Sequence, residues 1–73
     1  MNTIEAGLKL RQLRGAKAAR TVADAIGVSE SALLMYERGE RNPRDDIKVK
    51  IAQYYGVGIG DIFYPDNFTF SEA

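Results

Sequence analysis

Ten cationic and ten anionic side chains are most of the reactive chemistry in this 73-residue chain, which has no histidine and no cysteine. Without imidazole or thiol there is no ready base near neutral pH, no thiolate nucleophile and no thiolate metal ligand. Ser29 and Ser31 have no base beside them to activate a hydroxyl. Asp45 and Asp46 are adjacent at a predicted helix start, where the two side chains do not converge on one ion. Gly56-Val57-Gly58-Ile59-Gly60 mimics a glycine-rich phosphate loop. It lacks the preceding strand and the remaining motif residues, so these glycines read as turn punctuation. The tyrosines read as core rather than as nucleophiles. Enzymatic chemistry, a metal site and a bound cofactor are not expected.

What remains is recognition by charge and shape. The net charge is zero, which by itself argues against a polyanionic partner. The distribution is uneven. Residues 1–20 hold Lys9, Arg11, Arg14, Lys17 and Arg20 against Glu5 alone, while residues 61–73 hold Asp61, Asp66 and Glu72 and no cation. Such asymmetry allows one basic face; a solvated surface of mixed sign is the plainer alternative. Glu37 falls near the negative end of a predicted helix and needs a cation, for which Arg14 is the best-placed candidate. Glu30 falls near a positive helix end, where a carboxylate gains a few tenths of a kcal/mol.

These groups need elements to position them. A first helix opens at Asn2 or Thr3, with Asn2 and Glu5 at capping-box spacing. Ala6, Leu10 and Leu13 form its inward stripe. Ile4 and Leu8 lie beside that stripe and either widen it or form a subunit contact. Gly15 ends the helix. A second helix over about 18–26 is weakly capped, because Ala18 and Ala19 offer no side-chain acceptor. A third runs from about Glu30 to Arg38. After Pro43 a fourth starts at Arg44 or Asp45, with Ile47, Ile51 and Tyr54 or Tyr55 inward, Val49 and Ala52 flanking, and a stop at Gly56. A short turn ending in Ile62 and Phe63 plugs the core. In the tail, 64–73, Phe68 and Phe70 alternate with polar residues at the period of a strand. They either cover the core or pair with another chain, and dimerisation is the favoured reading. No signal peptide is visible at the start, and no apolar run approaches the ~20 residues of a membrane helix.

The stretch Val22 to Gly39 organises the rest. Val22, Ala23 and Ile26 recur at helical spacing. Gly27 sits where the helix must stop with positive φ, Val28 is an apolar staple, and Ser29 is a good N-cap. Leu33 and Tyr36 then point inward until Gly39. Helix, glycine-containing turn and helix make the helix-turn-helix arrangement, whose second helix can lie in a DNA major groove.

The ordered set Leu13-Arg14, Val22-Ala23-Asp24-Ala25-Ile26-Gly27-Val28-Ser29, Ser31-Ala32-Leu33, Tyr36-Glu37-Arg38-Gly39-Glu40-Arg41-Asn42-Pro43, Ile51-Ala52, Tyr55-Gly56-Val57 and Asp61-Ile62-Phe63 resembles the Cro and phage-repressor type helix-turn-helix domains, also called xenobiotic-response-element-like. The match covers about residues 6–63. The resemblance implies an all-α, five-helix, lambda-repressor-like DNA-binding domain over 1–63, with its helix-turn-helix unit at about 18–39. The segment 64–73 is a tail for dimerisation or for covering the core. It also implies double-stranded DNA as partner, a homodimer and a cytoplasmic location.

Carried over by position, the family's groove-facing residues fall on Ser29, Glu30, Ser31, Leu34 and Met35, which also share one helical face by spacing. Arg38, Arg41 and Arg44 fall where such proteins hold phosphates, with Ser29 as a further phosphate contact, and Arg14 and Glu37 match an ion pair tying the third helix to the first. This chain departs from the family where the second helix begins. Ala18-Ala19 replaces the usual polar pair, leaving backbone N–H groups with Lys17 and Arg20 to meet a phosphate. Leu34 and Met35 can touch only a thymine methyl, and Glu30 can accept from a cytosine amino group. Two functions follow. One is a sequence-specific transcriptional regulator, a repressor acting as a homodimer on a two-fold operator. The other is a protein-interaction module, antitoxin-like or adaptor, binding a protein partner through Leu34 and Met35.

Overall fold

The computed structural model describes residues 3–64 of the chain. Five helices follow in order: α1 (Thr3–Arg14), α2 (Ala19–Ile26), α3 (Glu30–Arg38), α4 (Asp45–Tyr55) and α5 (Ile59–Phe63). The fold is all-α, as expected, with no strand among the described residues. The capping-box residue Asn2 and the tail phenylalanines Phe68 and Phe70 lie outside those residues.

The turn between α2 and α3 is set by local chemistry. Ala18 precedes α2 in an extended conformation and gives no side-chain cap. At the other end Gly27 takes φ 93°, a left-handed conformation that a side chain would strain. Its N–H donates to the Ala23 carbonyl at 2.8 Å, and the Val28 N–H donates to the same oxygen at 3.0 Å. The chain then reverses within two residues. Ser29 restarts it: its Oγ accepts the Ala32 N–H at 3.0 Å, satisfying a first-turn donor that has no partner within the helix.

α1 packs against α3 and α5, α2 against α3 and α4, and α4 against α5. Leu10, Val22, Leu33, Ile51 and Phe63 are the large side chains fully enclosed between them. Burying a side chain of that size contributes about 1.5–3 kcal/mol. Phe63 and Ile62 come from the short α5 and close the core from below.

One expectation changes on α4, and one unexpected burial appears there. Val49 does not flank the buried face; it is exposed. Two residues from both Ile47 and Ile51, it is turned about 200° away from each. Lys48 is buried instead. Its Nζ donates to the Tyr64 hydroxyl at 2.8 Å and sits 4.8 Å and 5.3 Å from the ring centres of Tyr64 and Phe63. The aromatic faces attract the ammonium that water no longer solvates. On α1, Ile4 and Leu8 are both 59% exposed, so they do not widen the buried stripe.

Candidate nucleic-acid interface

α3 has one face in the core and one facing out. Leu33, Tyr36 and Glu37 are buried. Glu30 and Ser31 are exposed, and Leu34 and Met35 are half-buried. These four residues lie on one side of the helix, where a groove-reading surface was expected. The face is short of hydrogen-bonding groups: a carboxylate, a hydroxyl and two apolar chains. Ser29 opens it. Its oxygen already accepts from Ala32, which leaves its hydroxyl hydrogen to donate outward.

The C-terminal end of α3 is fixed to α1. Arg14 Nε donates to Glu37 Oε2 at 2.7 Å and Nη2 donates to Oε1 at 3.1 Å. The guanidinium also donates through Nη1 to the Lys17 carbonyl at 2.7 Å, so one side chain links α1, its following turn and α3. The hydrogen bond to Glu37 holds the Arg14 pKa above its usual value against the opposing effect of burial. Thr3 adds a bond from its hydroxyl to the Gly39 carbonyl at 3.3 Å.

The expected phosphate-holding residues Lys17, Arg20, Ser29, Arg38, Arg41 and Arg44 are all exposed, but they are not equally available. Arg38 Nη2 lies 3.2 Å from Glu40 Oε1. Arg44 Nε lies 3.7 Å from Asp46 Oδ1. Both pairs are exposed, so each holds its arginine only weakly. Lys17 Nζ stands 5.1 Å from the Tyr54 ring centre. Arg20 and Arg41 have no ion pair among the described residues. Arg41 and Arg44 border a cleft of about 270 Å³ with Asn42, Tyr36, Ala32 and Val28, between the helix-turn-helix unit and the start of α4.

Sequence reasoning missed Glu40 and Asp46 as partners of the arginines, though each lies two residues from its cation. It also missed Thr3, Tyr54 and Lys48; only their neighbours in space give them roles, and no local pattern marks them. Among the described residues no group of three or more acidic side chains gathers to hold a metal ion. No helix among them is long and apolar enough to cross a membrane.

Comparison with known proteins agrees with this geometry. Residues 8–62 match the family model described as helix-turn-helix. Over 41 residues the chain is 39% identical to the cryptic phage CTXphi transcriptional repressor RstR of Vibrio cholerae, a stretch covering 56% of this chain and 37% of that protein. Over 47 residues it is 38% identical to an uncharacterised helix-turn-helix-type transcriptional regulator of Methanocaldococcus jannaschii, covering 63% of this chain and 71% of the relative. The chain thus spans little more than a third of the phage repressor's length. No solved structure matches it significantly.

Proposed function

This chain belongs to the helix-turn-helix family of DNA-binding transcriptional regulators, which is not an enzyme family, and from that premise we propose that it is a repressor binding a two-fold operator as a homodimer. Its five helices are those of a lambda-repressor-like domain. The observation that carries the reading is α3 itself. Its N-terminal half is open at Glu30 and Ser31, while its far end is gripped by Arg14.

In this reading the exposed face enters the major groove. Glu30 accepts from a cytosine amino group, Ser31 makes an adaptable hydrogen bond, and Leu34 and Met35 pack on thymine methyls. Lys17, Arg20, Ser29, Arg38, Arg41 and Arg44 hold phosphates and set register rather than sequence. The uncapped first turn of α2 offers its backbone N–H groups to the same end. A homodimer, joined through the tail segment containing Phe68 and Phe70, sets two such helices about 34 Å apart. Acting on bacterial or phage DNA, it works in the cytoplasm.

A second reading is favoured by one observation: Leu34 and Met35 are apolar and half-exposed on the same face. In that reading the face binds a protein instead. Selection of bound sequences from random duplex DNA at two salt concentrations separates the two. Enrichment of a two-fold motif supports the repressor; failure to enrich any motif turns the reading to the interaction module. Sedimentation of the free and DNA-bound protein tests the dimer.

A further inference from the structure

α1 and the last turn of α3 meet backbone to backbone. A Cβ built on Gly7 would overlap the Glu37 carbonyl oxygen and stand 2.7 Å from the Tyr36 carbonyl oxygen. A Cβ on Gly39 would stand 2.9 Å from the Cα of Ile4. The contact is continued by Thr3, which donates to the Gly39 carbonyl, and by Arg14, which reaches Glu37.

Glycine is a poor residue inside a helix, so Gly7 in the middle of α1 needs a reason. It is not conformational: Gly15, Gly27, Gly39 and Gly56 have positive φ, and Gly7 does not. The reason is the close approach to the α3 carbonyls.

We infer that Gly7 is a positioning residue for DNA sequence preference, setting the tilt of α3 without touching DNA. The inference rests on the reading of Glu30, Ser31, Leu34 and Met35 as the base-contacting face. Any side chain at position 7 must push the two helices apart by roughly 0.5–1 Å to reach normal van der Waals separation. α3 has nine residues and is about 13 Å long. Its N-terminal end is tied to α2 by the Gly27-Val28 turn, so the displacement at the other end becomes a tilt. A binding surface keeps its geometry only within about 0.5 Å. Phosphate contacts made by long flexible arginines absorb such a shift; contacts to base edges do not.

The test compares Gly7→Ala with Gly56→Ala. Gly56 has φ 70° and nothing within 4 Å of an added Cβ, so its variant is destabilised by backbone strain while the α1–α3 contact stays intact. Both are measured at temperatures giving equal folded fractions. Each is titrated with a duplex enriched by the wild-type chain and with random duplex. The expected result is a tenfold or greater fall in the ratio of the two affinities for Gly7→Ala, with an unchanged salt slope on random duplex. Gly56→Ala keeps the wild-type ratio. A folded Gly7→Ala with a ratio within twofold of wild type overturns the inference, as does an equal loss in Gly56→Ala. If Gly7→Ala does not fold, Thr3→Val replaces it: a two- to fivefold fall in the ratio supports the inference and an unchanged ratio overturns it. If the wild-type chain enriches no duplex, the repressor reading fails by itself. The tilt is then read from backbone amide resonances of Gly7→Ala or Thr3→Val. Shifts concentrated in residues 30–38 support it, and shifts confined to α1 overturn it.

Discussion

Arg14 and Glu37 are joined at two points, 2.7 Å and 3.1 Å, on side chains only 13% and 5% exposed. A pair this enclosed costs much of its own attraction in lost hydration. Removing one partner is a different matter, because it strands the other charge. Glu37→Ala is expected to lower stability by about 3 kcal/mol, near the low end for buried pairs because Arg14 keeps some solvent exposure. The double variant Arg14→Met with Glu37→Leu should recover most of that loss. Urea denaturation of Arg14→Met, Glu37→Leu and the double variant, beside Glu37→Ala, checks it; additive losses from the first two would mean that the pair is not coupled.

Tyr55 has a buried hydroxyl with no hydrogen-bond partner in the described structure. Burial, and after it the Glu37 carboxylate, push its pKa up to about 12. An unfolded tyrosine ionises near pH 10. Between those values the unfolded chain loses a proton that the folded chain keeps, so this contribution is whole below about pH 10 and is lost as pH rises toward 12. Tyr55→Phe should therefore raise the alkaline unfolding midpoint and leave stability at pH 7 equal or higher by up to about 1 kcal/mol. Denaturation at a series of pH values, with ultraviolet titration of the remaining tyrosines, measures both effects.

Lys48 is a buried cation whose close hydrogen-bond partner is a neutral hydroxyl. Asp45, at 4.0 Å, is itself almost fully exposed. Lys48→Met keeps the stem and discards the charge, and should be neutral or stabilising by about 1 kcal/mol. Lys48→Ala removes the packing as well and should cost roughly 2 kcal/mol. If methionine proves as damaging as alanine, the ammonium itself stabilises the fold.

Arg38 and Arg41 are expected to act on every DNA sequence alike. Replacing both with alanine should weaken binding generally and reduce the salt slope by about 0.9 for each phosphate that is no longer neutralised. Because Glu40 holds Arg38 at 3.2 Å, Glu40→Gln should tighten binding to all duplexes roughly two- to fivefold. Fluorescence titrations across a salt series would show it, and an unchanged slope in the double alanine variant counts against the phosphate role.

Met35 should behave in the opposite way. Met35→Ala is expected to alter which bases are preferred while leaving the salt slope unchanged. Equal losses on selected and random duplexes would remove it from the reading face.

The helices and their stops were readable because they depend on local chemistry. Gly27, Ser29 and Gly39 mark ends through φ and a single hydroxyl, and Val22, Ala23, Ile26, Leu33 and Tyr36 mark an interior through period. The link from Arg14 to Glu37 was readable because an acid at a negative helix end needs a cation. Lys48 was not, since a lysine on a helix ordinarily reaches solvent, and only the docking of Phe63 and Tyr64 encloses it. Nor was Gly7, whose surroundings come from residues about thirty positions away. The candidate interface was readable as a face, but the weak pairing of Arg38 with Glu40 and of Arg44 with Asp46 depends on how the side chains lie across each turn, which no sequence pattern marks.

The enclosure of Phe63 also has a meaning in time. Residue 63 lies at the end of the last described helix, yet its ring is fully buried beside Leu10 and Ile51 in one core. A ribosome releases α3 and its grip on α1 well before it releases that ring. Until then the hollow that Phe63 fills is open, and a small chain has little other apolar surface to bury. A nascent chain therefore carries α3 before it carries a finished support for it. The support beneath α3 is complete only when synthesis has passed α5, because Phe63 is the last large side chain of that core to arrive.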